Sequence, residues 1–207
     1  MRRLFLLAAI SLACATTPKP RWVDASTPRE SRSFLLQLPE GWMRSNQEVT
    51  VVATRDGPLL QEIFVERLQM GKALRNTKKT VAAGMMPQEA AEVIADDLVS
   101  NPVTKGLQIV ENAPATVGGT AGFRILAAFK DRDGLKYKEV VYGVLAPPWF
   151  YRLIYTAPER HYFDADLPAF EAVAASFRPG SEKPPPEPPL SKAPASAKEP
   201  APDATGN

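Results

Sequence analysis

The chain has one cysteine and one histidine in 207 residues, and each scarcity removes a class of function. Cys14 has no partner for an internal disulfide, so the fold must be held by its apolar core. His161 excludes a multi-histidine metal centre and a triad built on a histidine base. It sits between Arg160 and Tyr162 in a segment ahead of the last helix and reads as an exposed loop residue. Nowhere is there an apolar run long enough to span a bilayer; residues 4–13 (LFLLAAISLA) are only ten. Excess charge is missing too. The formal net charge is +2, and without Arg2 and Arg3 the basic and acidic residues are equal in number. That balance leaves no electrostatic footprint for nucleic acid, which is not expected as a partner.

What the N-terminus does have is a leader. Arg2 and Arg3 precede the ten-residue apolar core, and Cys14 follows directly after Ala13. This is the layout of a secretory signal peptide over residues 1–13. Ser11-Leu12-Ala13-Cys14 resembles the bacterial lipobox, although Ser11 stands where a larger aliphatic residue is usual. The resemblance implies that Cys14 is lipidated and becomes the mature N-terminus. Ordinary cleavage after Ala13 or Ala15 is the alternative. The expected location is the bacterial cell envelope, with the membrane as partner through a lipid anchor. Ala15, in place of an aspartate, implies the periplasmic face of the outer membrane.

Three zones of composition follow the leader. Residues 14–27 are polar and proline-containing, and read as a lipidated cysteine and tether. Residues 28–180 are mixed apolar and charged, sufficient for one domain. Residues 181–207 hold eight prolines, one leucine and no aromatic residue, so they are expected to form a disordered tail.

Within the domain, Phe34, Leu36 and Leu38 alternate along a strand that stops at Pro39-Glu40-Gly41-Trp42. Residues 49–54 are a β-branched strand, Asp56-Gly57 is a hairpin turn, and Ile63 and Val65 mark the returning strand. Residues 87–100 predict a helix with Pro87 in its first turn and Ala90, Val93, Ile94 and Leu98 as its stripe. A short strand is expected at 107–111, then a meander over 122–130, 135–145 and 149–157. A last helix is expected after Asp166 as its cap, with Pro168 in the first turn and Phe170, Val173, Ala174 and Phe177 on its apolar side. The fold class is α+β: a largely antiparallel β-sheet sandwiched between helices.

The run Phe34-x-Leu36-x-Leu38-Pro39-x-Gly41-Trp42, the hairpin through Asp56-Gly57 and the closing Phe170 to Phe177 resemble the PsbP and DcrB group. That group shares its fold with a eukaryotic Ran-release factor. The resemblance covers about residues 33–178 and implies a PsbP-like three-layer α/β/α domain. It also implies a non-enzymatic accessory or binding module, often exported and lipid-anchored.

Candidate sites are few. Asp131-x-Asp133-Gly134 lacks the glutamate of a calcium loop and reads as a tight turn. Glu89, Glu92 and Asp96, with Asp97 beside them, read as a solvated helix face, Glu89 also complementing the positive helix N-terminus. Gly118 to Gly122 lacks the ending of a phosphate loop and reads as a connector. Lys72, Arg75, Lys78 and Lys79 form a basic solvated segment, with anionic lipid headgroups as an alternative contact. Aromatic side chains gather on one hairpin, where Trp149, Tyr151 and Tyr155 fall on a single face. If helices leave that face uncovered, these three form the ligand or partner surface. No catalytic residue, metal site or cofactor is expected. The resulting reading is a non-enzymatic envelope lipoprotein that binds an envelope protein or a small molecule. Alternatives are an enzyme with a carboxylate-based site and a passive spacer reaching toward the cell wall.

Overall fold

The computed structural model describes residues 22–27, 33–45 and 50–180. The leader, Cys14 and the 181–207 tail lie outside those residues. Ten strands and two helices are described: β1 (Trp22–Asp24), β2 (Phe34–Leu35), β3 (Met43–Ser45), β4 (Thr50–Thr54), β5 (Glu62–Gln69), α1 (Pro87–Val99), β6 (Lys105–Val117), β7 (Thr120–Lys130), β8 (Lys136–Ala146), β9 (Trp149–Pro158), α2 (Asp164–Ser176) and β10 (Arg178–Pro179). Eight strands form one sheet in the order β1-β3-β4-β5-β9-β8-β7-β6, and β2 pairs with β10 apart from it. Every pairing is antiparallel.

Strand alternation divides the core into two clusters. On β8, Val140, Tyr142 and Val144 join the cluster that contains Phe170, Val173, Ala174 and Phe177 from α2 and its end. Val141, the residue between, joins the cluster containing Ala90, Ala91, Ile94 and Leu98 of α1. Each helix therefore packs on its own side of the sheet. Burial of a side chain such as Ile94 or Phe170 contributes about 1.5–3 kcal/mol by area removed from water. Trp42 and Phe177 are core residues, as their positions in the pattern predict.

The chain departs from the sequence reading in several places. The strand expected through Leu38 is a strand only at Phe34–Leu35, where it pairs with β10. Residues 22–24, read as tether, form the edge strand β1 through pairing with β3. The strand expected at 107–111 runs over the whole of β6; Pro114 is tolerated because β6 is the sheet's other edge. Asp166 is not the cap of α2, which starts two residues earlier at Asp164. Its buried carboxylate instead accepts from Arg55 Nη1 at 2.7 Å and Gln61 Nε2 at 3.1 Å, tying the β4–β5 turn to the helix. Asp97 is not solvated. It is buried, and its Oδ1 accepts from the backbone N–H groups of Asn76 at 2.9 Å and Thr77 at 3.0 Å, which fixes the loop ahead of α1.

Among the described residues no helix is long and apolar enough to cross a membrane.

Candidate functional site

The aromatic hairpin is interior. Trp149 is 7% exposed, and Tyr151 and Tyr155 are 0% exposed, so the surface expected at these three residues is not one. Tyr151 stands edge-on to Phe34 and Phe177, at 6.2 Å and 5.3 Å between ring centres. Tyr155 stacks against Phe163 and Phe170, each at 5.5 Å. Burial pushes its hydroxyl well above the ordinary tyrosine range, and that hydroxyl donates to the Tyr162 carbonyl at 3.0 Å. The guanidinium of Arg67 lies 4.0 Å over the Trp149 ring. The face on which these residues lie is filled by α2 together with Phe34 and Phe177. His161 is exposed, as the sequence predicts, and takes a left-handed φ of 76° in the irregular turn before α2.

The other sequence candidates resolve into structural roles. Asp131 Oδ1 accepts from the backbone of Asp133 and Leu135, both at 2.9 Å, so its carboxylate closes the β7–β8 turn. Glu89 Oε2 accepts from the Met86 backbone N–H at 2.8 Å, capping α1. In the basic segment, Lys79 pairs with Asp96 and Lys78 donates to the Arg75 carbonyl at 2.7 Å.

Sequence reasoning missed a cleft at the far end of the β6–β7–β8 region. Its volume is about 490 Å³, and its lining includes Lys105, Phe129, Lys130, Lys136, Tyr137 and Glu159. The strand register explains the charge. Lys130 on β7 stands directly opposite Lys136 on β8, and Lys105 on β6 stands directly opposite Lys130. Three lysine residues thus occupy one register row across three adjacent strands, their backbones spanning two strand spacings or roughly 10 Å. Like charges in opposed positions destabilise a sheet. All three are exposed, and among the described residues no carboxylate pairs with any of them. Lys105 Nζ donates only to the Arg132 carbonyl, at 3.4 Å.

The row is held by specific backbone. Gly106, beside Lys105, has φ 61°, and the β6–β7 register slips between Lys105 and Gln108. A bulge with glycine in left-handed conformation bends an edge strand and re-aims the neighbouring side chain. Two other polar groups of the cleft have partners. Glu159 lies 3.4 Å from Lys138, and Tyr137 donates its hydroxyl to the Leu59 carbonyl at 3.2 Å. Burial raises the Tyr137 hydroxyl above its ordinary value, so it keeps its proton. Its ring stacks on Phe129 at 5.6 Å and 12°. By strand alternation this aromatic pair points to the α1 face and Lys130 and Lys136 to the α2 face, so the lysine row itself is a strip of positive charge.

A second polar row lies on the α1 side of the sheet. Glu62, Thr156 and Glu139 are opposed across β5, β9 and β8, with Thr156 Oγ1 donating to Glu139 Oε2 at 2.9 Å. Burial raises both carboxyls, and Glu62 raises Glu139 further. Among the described residues no group of three or more acidic, histidine or cysteine side chains is arranged to hold a metal.

No protein-family model and no curated protein matches the sequence. Among solved structures the chain is similar to cyanobacterial PsbP from Synechocystis, with TM-score 0.49 and 11% identity over 80% of this chain and 95% of that one. It is also similar to the Ran-binding protein Mog1p of Saccharomyces cerevisiae, with TM-score 0.47 and 11% identity over 78% and 96% of the two chains. A third is LpqN of Mycobacterium tuberculosis, a protein involved in cell envelope biogenesis, with TM-score 0.46 and 13% identity over 71% and 83%. PsbP, whose group the sequence resembles, is thus among the structures similar to this chain.

Proposed function

We propose that the protein is a lipid-anchored accessory module of the bacterial cell envelope that works by binding, with the lysine-lined cleft as its ligand site. In this reading Cys14 carries the lipid, the domain is a three-layer α/β/α unit with one helix on each sheet face, and it sits on the periplasmic face of the outer membrane. The observation that carries the binding role is the row of Lys105, Lys130 and Lys136, an arrangement that costs stability and gives access to an anion. Its position supports the anchored arrangement. The chain enters the sheet at β1, one edge, and the cleft lies six strands away, roughly 30 Å across. The stretch from Cys14 to Trp22 spans at most about 28 Å when extended. An anchor there holds the β1 edge near the bilayer and leaves the cleft side free. The alternative of a carboxylate enzyme has Glu62 and Glu139 as its best support, but they share a sheet face with Thr156 and do not line this cleft.

The anchor is tested by fractionating cells expressing the full chain and its Cys14→Ser variant. The wild type is expected in the membrane fraction with a diacylglyceryl adduct at Cys14 by mass spectrometry, and the variant released from it. An unmodified wild-type chain in the soluble fraction would overturn the lipoprotein assignment.

A further inference from the structure

We infer that the cleft over β6, β7 and β8 is a site for a multiply charged phosphoryl anion. The inference rests on the cleft being a binding site and names the chemistry that site accepts. Three lysine side chains stand in one register row, Lys105 opposite Lys130 and Lys130 opposite Lys136. A single carboxylate offsets one of these charges and leaves two opposed. A phosphate monoester or diphosphate brings two or more negative charges on closely spaced oxygens, and so neutralises the row from one ligand.

The donor type agrees. Lysine ammonium groups act as mobile point charges with three donors each, suited to the many oxygens of a phosphoryl group. The volume, about 490 Å³, lies within the range of small-molecule sites. Glu159 is engaged by Lys138, and Asp131 by the backbone of its own turn. The glycine bulge at Gly106 sets the register that places Lys105 opposite Lys130.

The same chemistry has two sources in an envelope, a free phosphorylated compound and a phospholipid headgroup. A headgroup diester carries one charge, so the row favours the free, more highly charged form. The two are separated by thermal unfolding of the full chain in nonionic detergent at low, matched ionic strength. One arm adds millimolar inorganic pyrophosphate and the other adds glycerophosphoglycerol, the soluble headgroup of a common anionic lipid. Pyrophosphate is expected to raise the midpoint by about 3 °C. The rise should disappear in Lys130→Gln, survive in Lys130→Arg and shrink as salt is added. An equal rise with glycerophosphoglycerol, also lost in Lys130→Gln, would support the phosphoryl site and assign it to lipid. No rise with either probe, or a rise unchanged in both Lys130→Gln and Lys105→Gln, would overturn it. Failure of the anchor is read separately, from the fractionation of Cys14→Ser.

Discussion

The hydroxyl of Tyr151 donates to the backbone carbonyl of Ser33 across 3.0 Å, joining β9 to a residue 118 positions earlier. This bond is buried, and the Tyr151 ring is packed between Phe34 and Phe177. Tyr151→Phe is expected to cost about 1 kcal/mol by loss of the hydrogen bond. Tyr151→Ala should cost about 3–5 kcal/mol by loss of the ring and the cavity left behind. Urea titration of the two variants separates these contributions. A Tyr151→Ala protein with unchanged midpoint would contradict the interior position.

Gly118 turns β6 into β7 with φ 56°, and its backbone lies against the end of α2. A Cβ there would stand 1.7 Å from the Phe177 carbonyl oxygen. Gly118→Ala must therefore move the chain at Phe177 and also adopt left-handed backbone. The expected cost is about 3 kcal/mol, the sum of overpacking and strain. Circular dichroism melting would show it. Gly119→Ala is the control, since nothing lies within 4 Å of its Cβ position.

Glu139 gives a pH prediction with a definite sign. Burial pushes its carboxyl above the ordinary value of 4.5, so the folded protein binds this proton more tightly than the unfolded chain does. Ionising it opposes folding, and the penalty is absent below 4.5 and grows as pH rises through the raised value. Glu139→Gln keeps an oxygen to accept from Thr156 and removes the charge. Its midpoint should exceed the wild type by about 3 °C at neutral pH, with the gain vanishing in acid. Equal melting of the two proteins across the whole range would refute the assignment.

Asp97 holds the loop ahead of α1 by accepting from two backbone N–H groups and the Thr77 hydroxyl at 3.2 Å. Asp97→Ala leaves those donors to water and should cost about 2 kcal/mol. The amides of Asn76 and Thr77 should then exchange with solvent faster, while those of β8 change no more than the global loss of stability requires. Uniform exchange across both regions would show that the loop is not separately held.

The parts of the fold written into local chemistry were legible. The turn residues Asp131 to Gly134 and the alternation on either side predict strands at 122–130 and 135–145, and the structure has them at 120–130 and 136–146. Pro87 and the Ala90, Ile94, Leu98 stripe fix α1 to within one residue at its end. The rest depended on partners distant in sequence. Three residues at Trp22 become a strand only because β3 offers an edge, and no local pattern announces that. The long β6 was hidden by Asn112, Ala113 and Pro114, poor strand formers that an edge position accepts.

Half of the cleft was within reach of the sequence. Lys130 and Lys136 flank the Asp131 to Gly134 turn, so a tight hairpin must oppose them. Lys105 was not accessible this way. Its place opposite Lys130 depends on the bulge at Gly106, which shifts register over the preceding residues. Asp97 was missed for a related reason. Its helical position points toward charged neighbours, and only the loop folding back over it makes it an interior acceptor.

The backbone N–H of Gly180 donates to the carbonyl of Ser33 at 3.0 Å, beside the two-residue pairing of β2 with β10. The described chain therefore nearly closes on itself between those positions. A peptide of a few residues could join position 180 to position 33 with little loop-closure entropy. New ends could then be opened at the exposed Asp133–Gly134 turn. Such a circular permutant would lack β1 but preserve the remaining antiparallel ladders. The order in which those elements are synthesised is, on this geometry, separable from the architecture they build.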